Sequence, residues 1–413
     1  MSVPDSFKVI NLSVLDELKN EQFWTEFLEY KISSENMSTH EERDLRKFIS
    51  NAEYMPIADN ITANHPFPLP QLRELNKKST NKKRTVFIFD REENFILKAV
   101  AYLLNQYDHL FPENLYSFRK DIGVKKAIAD LVKNPHITSL YSYKVDIHDY
   151  FNSVDTDMIL TQLQTVLSND KRLFDFICGI ISEPNVRNKE EIMHCKKGIM
   201  AGMPISGFLA NLYLKELDEW FAERNIIYAR YSDDIIVFAE TPELIAEYKQ
   251  KIKSVLAEKK LEVNCKKEYR TIPGEPWEFL GFSVAVDGID LAAISLQKMK
   301  DKMRRKARAL IRWKNRTGAC NERAILAFIR HFNRKFYDNP KQHEVTWCRW
   351  YFPTITTSKS LHILDEYMVS CIRYIATGKH TKANYNLRYE EIKEFGYRSL
   401  VNAYYYYKKT NLL

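Results

Sequence analysis

Three aspartates carry the chemistry that this sequence can do. Asp233 and Asp234 stand side by side in Ile226-Ile-Tyr-Ala-Arg-Tyr231-Ser-Asp233-Asp234-Ile-Ile-Val-Phe-Ala239, and Asp146 ends the run Leu140-Tyr-Ser-Tyr-Lys-Val145. Two adjacent carboxylates repel each other, and a divalent cation is the usual way to make such a pair tolerable. Mg²⁺ is the expected ion, because it is hard, takes oxygen ligands and keeps part of its water shell for a substrate phosphate. By itself an Asp-Asp pair is equally what an ordinary turn contains. A third acid changes that balance: three acids on neighbouring strand ends suit two-metal phosphoryl transfer. There one ion lowers the pKa of an attacking hydroxyl and both stabilise the entering and leaving oxygens, ~3.5–4 Å apart. Asp146, Asp233 and Asp234 are therefore expected to be catalytic and to hold two Mg²⁺ ions.

The elements that must position them are legible in residue type. Val, Ile, Tyr and Phe favour a half-buried pleated surface, whereas Ser and Asp favour tight turns, so 226–239 reads as a β-hairpin with its two acids at the tip. Asp146 reads as a strand end, followed by a turn and a helix that Asp155 or Thr156 caps. Upstream, Val86-Phe-Ile-Phe89 reads as a short strand leading into a helix through Glu92, Ile96, Val100 and Leu104. Downstream, Thr241-Pro242-Glu243 opens a helix whose buried face is Leu244, Ile245, Tyr248, Ile252, Val255 and Leu256.

In order and wording these motifs resemble those of reverse transcriptases. Asp146 followed by the aromatic pair Tyr150-Phe151 is similar to that family's first palm motif, and Tyr231-Ser-Asp233-Asp234 to its Tyr-x-Asp-Asp hairpin. Between them, Gly198, Gly202, Ser206, Ala210 and Asn211 match a Gly-rich turn that opens a long helix; Met200-Ala201 stands where Pro-Gln is usual and Gly207 where Pro is usual. Arg84-Thr-Val86 and Phe118-Arg119 are similar to finger motifs of the retron and group II intron branch. Leu261-Glu-Val-Asn264-Cys-Lys266-Lys267 resembles the motif after the catalytic hairpin, and Phe279-Leu280-Gly281-Phe282 the hairpin that grips the primer. The resemblance spans roughly residues 80 to 285.

It implies an α+β right-hand polymerase with fingers, an antiparallel-sheet palm and an α-helical thumb, using dNTPs, an RNA template and an RNA–DNA duplex. It also implies nucleotide-binding roles for Arg84, Asp149, Tyr150, Phe151, Gly202 and Ser206. Arg84 would meet the triphosphate, as would the backbone amide of Asp149, and Phe151 would lie beneath the sugar, where its ring leaves no room for a 2′-hydroxyl. Arg119, Lys267 and Gly281 would contact nucleic acid. Read from composition alone, Tyr150 and Phe151 could equally be core, and Asn81-Lys82-Lys83-Arg84 a solvated loop.

The chain as a whole has 413 residues, which suggests two or three lobes: a helical extension and connector over 1–80, the core over 81–285, and an α-helical region over 286–413. Within 1–80, Leu12, Val14, Leu15, Leu18, Phe23, Phe27 and Leu28 have helical spacing, while Asn60 to Pro70 reads as an extended connector because three prolines remove donors. This extension either binds the cognate RNA or simply covers the fingers. The net charge is +8, and the segment from Lys298 to Arg316 alone holds ten Lys or Arg against one Asp. Leu296, Met299, Met303, Ala307, Leu310 and Ile311 keep helical spacing there, so Lys298, Arg304, Arg305, Arg308 and Arg312 should line the exposed side of a helix that tracks a duplex backbone. A plain solvated face is the alternative.

Six cysteines without any Cys-x-x-Cys pair argue against structural zinc and for a reduced, cytoplasmic setting, and no stretch is long and apolar enough to span a membrane. The tail, with Trp347-Cys-Arg-Trp350, Ile363 to Arg373 and Tyr404 to Tyr407, resembles the C-terminal region of bacterial defence-associated reverse transcriptases. That resemblance implies copying of a partner noncoding RNA in antiviral defence. Two other readings stay open: an RNA-dependent RNA polymerase with the same palm, which Phe151 disfavours, and a catalytically silent RNA-binding scaffold, which the intact acid triad disfavours.

Overall fold

The computed structural model of this chain describes residues 13–34, 37–76, 83–337, 345–379 and 382–410; Leu12, Asn81 and Lys82 lie outside them. The chain divides into two compact units. The first comprises the described residues of Met1–Ser34, Thr39–Ala127 and Tyr141–Arg270, and the second those of Glu35–Ser38, Ile128–Leu140 and Thr271–Leu413. The architecture is mixed α and β, with strand pairing that is antiparallel almost throughout.

Eight strands, β1 (Gln71–Asn76), β2 (Lys83–Ile88), β3 (Tyr141–Asp146), β4 (Asn185–Asn188), β5 (Glu191–His194), β6 (Tyr228–Tyr231), β7 (Asp234–Ala239) and β8 (Tyr269–Thr271), all but the last residue of β8 in the first unit, form two sheets of order β2-β1-β4-β5 and β6-β7-β3-β8. Ile235, Ile236, Val237 and Phe238 form one unbroken apolar run and are all buried, as a central strand covered on both faces requires. The helix Pro242–Glu258, capped by the Thr241 side chain, packs on β3 and β7 through Ile245, Ile252, Val255 and Leu256. Leu244, expected on that buried face, is exposed instead: it lies in the first turn, where its amide donates to the Thr241 hydroxyl oxygen.

The N-terminal helices Glu21–Ser33, Thr39–Ser50 and Tyr54–Thr62 pack with Arg91–Leu103 as part of the same unit. Trp24 is fully buried against Phe48 (5.4 Å) and Tyr54 (5.1 Å), and Phe48 in turn meets Phe95 (5.3 Å). The expected connector is shorter than its sequence suggests. Asn60 to Thr62 close a helix, and Gln71–Asn76 is β1, paired along its length with β2 across residue 80, where the sequence places a lobe boundary.

In the second unit β9 (Trp277–Phe279), β10 (Phe282–Ala285) and β11 (Gly288–Leu291) form an antiparallel sheet. Leu280 and Gly281, at φ +50° and +91°, make the tight turn between β9 and β10. The helix Lys359–Thr377 packs against Ala293–Thr317, Asn321–Phe336 and Leu400–Thr410. In the last of these Tyr404 is buried and its hydroxyl donates to the Ile355 carbonyl, whereas Tyr405 and Tyr406 face solvent. All six cysteines are unpaired, and no helix among the described residues is long and apolar enough to cross a membrane.

Candidate active site

The turn between β6 and β7 is two residues, Ser232 and Asp233, and Tyr231 pairs with Asp234 across it. Ser232 is left-handed (φ +60°), which turns the chain tightly enough to leave Asp233 and Asp234 on the same end of the sheet. On the other side of β7, Asp234 lies opposite Asp146, the last residue of β3. Carboxylate oxygens of Asp146, Asp233 and Asp234 consequently lie within 4.8 Å of one another. Burial and the charge of Asp146 raise the pKa of Asp233. Burial and the charge of Asp233 push Asp234 up to about 6, against the pull of Lys144. Asp146, buried, accepts from Asn264 Nδ2 (2.9 Å) and pairs with Lys267 Nζ (2.5 Å). Three carboxylates under this repulsion, with one compensated by a lysine, fit a divalent cation by the chemistry of the donor set.

A buried polar network sets the hairpin tip. Arg230 is fully buried on β6, paired with Asp218 (2.5 Å), and donates to the carbonyls of Ser232 (3.3 Å) and Asn211 (3.1 Å). The Ser232 amide donates to Ser117 Oγ (2.8 Å), which itself donates to Asn211 Oδ1 (3.0 Å), while Asn211 Nδ2 returns to the Ser117 carbonyl (2.7 Å). Severing one member of such a network leaves buried groups unpaired. Sequence reasoning assigned no role to Ser117, Asp218, Arg230, Lys144 or Asn264. Asn264 and Arg230 fall inside stretches singled out above, but their bonds to Asp146 and Asp218 join residues distant in the chain, which a local pattern does not show.

The Gly-rich turn is fastened to the same unit at two points: Ile199 N–H donates to the Phe151 carbonyl (2.9 Å) and Phe87 N–H on β2 to that of Ala201 (2.8 Å). Gly198 (φ +50°) must lack a side chain, because a Cβ there would collide with the Phe151 carbonyl. Gly202 is exposed at φ +104° beside β2. Ser206 is not available to a nucleotide: it is buried, and its hydroxyl is taken by the carbonyls of Ile199 and Met200 within the turn. The expected long helix is broken at Leu214 into Ser206–Tyr213 and Lys215–Glu223.

The other expected residues divide in the same way. Arg84 is exposed on β2, near enough for its charge to pull the Asp233 pKa down, and Asp149 is exposed in a left-handed conformation just ahead of Tyr150. Phe151 is half-buried beside them. Tyr150 is core: it is buried and its hydroxyl donates to the Ala210 carbonyl (2.6 Å). Arg119 is likewise structural. Its side chain is 7% exposed and its guanidinium is used up by Asp108 (2.8 Å) and the carbonyls of Pro112 and Leu115, which closes the loop from 108 to 119. In the second unit, Gly281 sits in its turn close to Ser295 Oγ. On the helix Ala293–Thr317, Lys298, Arg304, Arg305, Arg308 and Arg312 are all exposed opposite the buried Met299, Met303, Ala307 and Leu310, with Arg304 paired to Asp301 (2.8 Å).

The model of the reverse transcriptase (RNA-dependent DNA polymerase) family matches residues 75–284, half of the chain, and so takes in all three acids. The chain belongs to that family. Among curated relatives, the retron Ec86 reverse transcriptase of Escherichia coli is 22% identical over 174 residues, 41% of this chain and 50% of the relative. The chain thus spans about half the length of the curated relative it matches. Among solved structures, apo telomerase from Candida tropicalis is 12% identical with a TM-score of 0.46, covering 80% of this chain and 58% of that one. Telomerase from Candida albicans, solved with a TWJ fragment of telomeric RNA, is 12% identical with a TM-score of 0.42, covering 84% and 68%. Likeness at that level carries no argument about this chain. Reverse transcriptase domains generally use divalent metal ions, and the acid triad is where this one could hold them.

Proposed function

We propose that the chain is an RNA-directed DNA polymerase of right-hand type, with an N-terminal helical extension, a fingers-and-palm core and an α-helical thumb, working with two Mg²⁺ ions and dNTPs. The observation that carries this reading is the convergence of Asp146, Asp233 and Asp234 within 4.8 Å in a member of the reverse transcriptase family. Bound Mg²⁺ supplies a lowered pKa for the primer hydroxyl and charge stabilisation at the transferring phosphoryl group. The chain's own residues hold and orient: the three carboxylates take the ions, Arg84 meets the triphosphate, and Phe151 closes the space of a 2′-hydroxyl. The exposed arginines of Ala293–Thr317 hold the template–product duplex by its phosphates.

Asp233→Asn is expected to lower DNA synthesis by at least ~100-fold while RNA affinity stays close to that of the parent. Robust polymerisation by that variant, or by the parent in EDTA, removes the proposal. A finer reading, resting on the likeness of the C-terminal region to defence-associated enzymes, is that the template is a partner noncoding RNA, in a cytoplasmic antiviral setting. Sequencing the nucleic acid that copurifies with the protein tests it: one recurrent RNA and its complementary DNA are expected, and an unselected RNA population rules it out.

A further inference from the structure

Phe118 is held in a way that packing alone does not require. Its backbone is left-handed (φ +54°), a conformation that side chains of this type rarely adopt and that persists where the surroundings over-determine it. Both neighbours are anchored. Ser117 is fully buried in the network that ends at Ser232 and Asn211, and Arg119 is tied to Asp108 and two carbonyls. Between these anchors Phe118 as a residue remains 51% exposed, so burial is not what holds it there. It lies over Gly207, where a Cβ would come 2.5 Å from its Cγ and 2.9 Å from its Cβ. Those are the near atoms of the side chain, which cannot step aside without moving the loop. Its edge meets Phe151 at 6.0 Å and 90°, the favoured edge-to-face arrangement of two rings.

We propose that Phe118 is a specificity-determining positioning residue: its ring fixes the angle of Phe151 against the nucleotide sugar, and Gly207 is bare so that the ring can lie there. This rests on the polymerase reading above and on Phe151 as the residue that excludes the 2′-hydroxyl. Phe151 sits on the single turn Tyr150–Ser153, where its ring centroid also lies 5.8 Å from that of Tyr150. Without Phe118 the Phe151 ring is free to turn toward the vacated side and to admit a ribose. Gly207→Ala acts on the same ring pair from below by lifting the Phe118 ring.

The test is the ratio of kcat/KM for a dNTP to that for the matching rNTP, measured on a primed RNA template. Phe118→Ala, Phe118→Tyr, Gly207→Ala, Phe151→Ala and the double variant Phe118→Ala/Phe151→Ala are compared with the parent. Phe118→Ala is expected to lower the ratio by about 2- to 10-fold, the range of an edge-to-face ring pair, through a change in the KM of the ribonucleotide. Phe118→Tyr, which keeps the ring, retains the parental ratio. Gly207→Ala shifts the ratio in the same direction as Phe118→Ala, and the double variant is no more permissive than Phe151→Ala alone. An unchanged ratio in Phe118→Ala, or an equal loss for both sugars, overturns the inference while the polymerase reading stands. No templated incorporation by the parent overturns that reading itself, and the inference with it.

Discussion

Asp234 feels the strongest field in the triad. Burial and then the charge of Asp233 bring its carboxyl up to about 6 from an ordinary 3.8. A carboxyl whose folded pKa is raised contributes stability fully below its unfolded value and loses it as the pH rises through the folded value. The metal-free protein should therefore lose on the order of 2–3 kcal/mol from this group between about pH 4 and about pH 6. In EDTA, Asp234→Asn should be more stable than the parent at about pH 7.5 and not at about pH 4.5. Urea unfolding of both proteins at the two pH values checks this; equal differences at both would mean that the acids are not crowded. Arg119 calls for a different prediction. The Phe-Arg pair places it among nucleic-acid-binding residues by resemblance, but Asp108 and two carbonyls already occupy its guanidinium. Arg119→Ala should cost about 1–3 kcal/mol of stability, as loss of a partly buried set of charged hydrogen bonds does, and leave the salt dependence of RNA binding unchanged. A lower salt slope at full stability would return Arg119 to the nucleic-acid surface. Sequence pattern could not show this, because it records which residue types are present and not which carbonyls face them.

Elements were more legible than side-chain roles, for reasons that differ from one element to the next. The hairpin of β6 and β7 was readable because two runs rich in strand-forming residues flank Ser232-Asp233, so residue type and turn chemistry agree. The basic helix was readable because its apolar residues keep one face: Met299, Met303, Ala307 and Leu310 are buried, and Leu296 and Ile311, expected with them, are half-buried. β1 was not. Gln71-Leu-Arg-Glu-Leu-Asn76 is largely exposed, and only its pairing with β2 makes it a strand, a fact that no local pattern contains. The broken helix at Leu214 was hidden for a similar reason, since its residues are good helix formers on both sides. The basic helix also carries a prediction. Arg304 is partly occupied by Asp301, so Arg305, Arg308 and Arg312 are the informative positions. Changing all three to Ala should weaken binding about equally for unrelated sequences and lower the slope of log K against log[salt] by up to ~0.9 for each DNA phosphate that is no longer neutralised. An unchanged slope would assign these charges to solvent.

Across the whole molecule, charge and packing divide the work. The net charge of +8 is about that of the segment from Lys298 to Arg316 alone, leaving the remaining residues close to neutral, so the basic excess is concentrated in one helix of the second unit while the acid triad belongs to the first. The N-terminal helices share the first unit's core through Trp24, Phe48 and Phe95. Trp24→Ala should destabilise the protein by about 3–5 kcal/mol, measurable by urea unfolding, because it empties a fully buried site. Little or no loss would mean that the extension folds independently of the core. The central claim concerns what the acid triad does, and primer extension by the purified parent protein on an RNA template tests it most directly. With Mg²⁺ and dNTPs the product should be DNA complementary to the template, absent in EDTA; no product, a product that persists in EDTA, or one made only from ribonucleotides would contradict it.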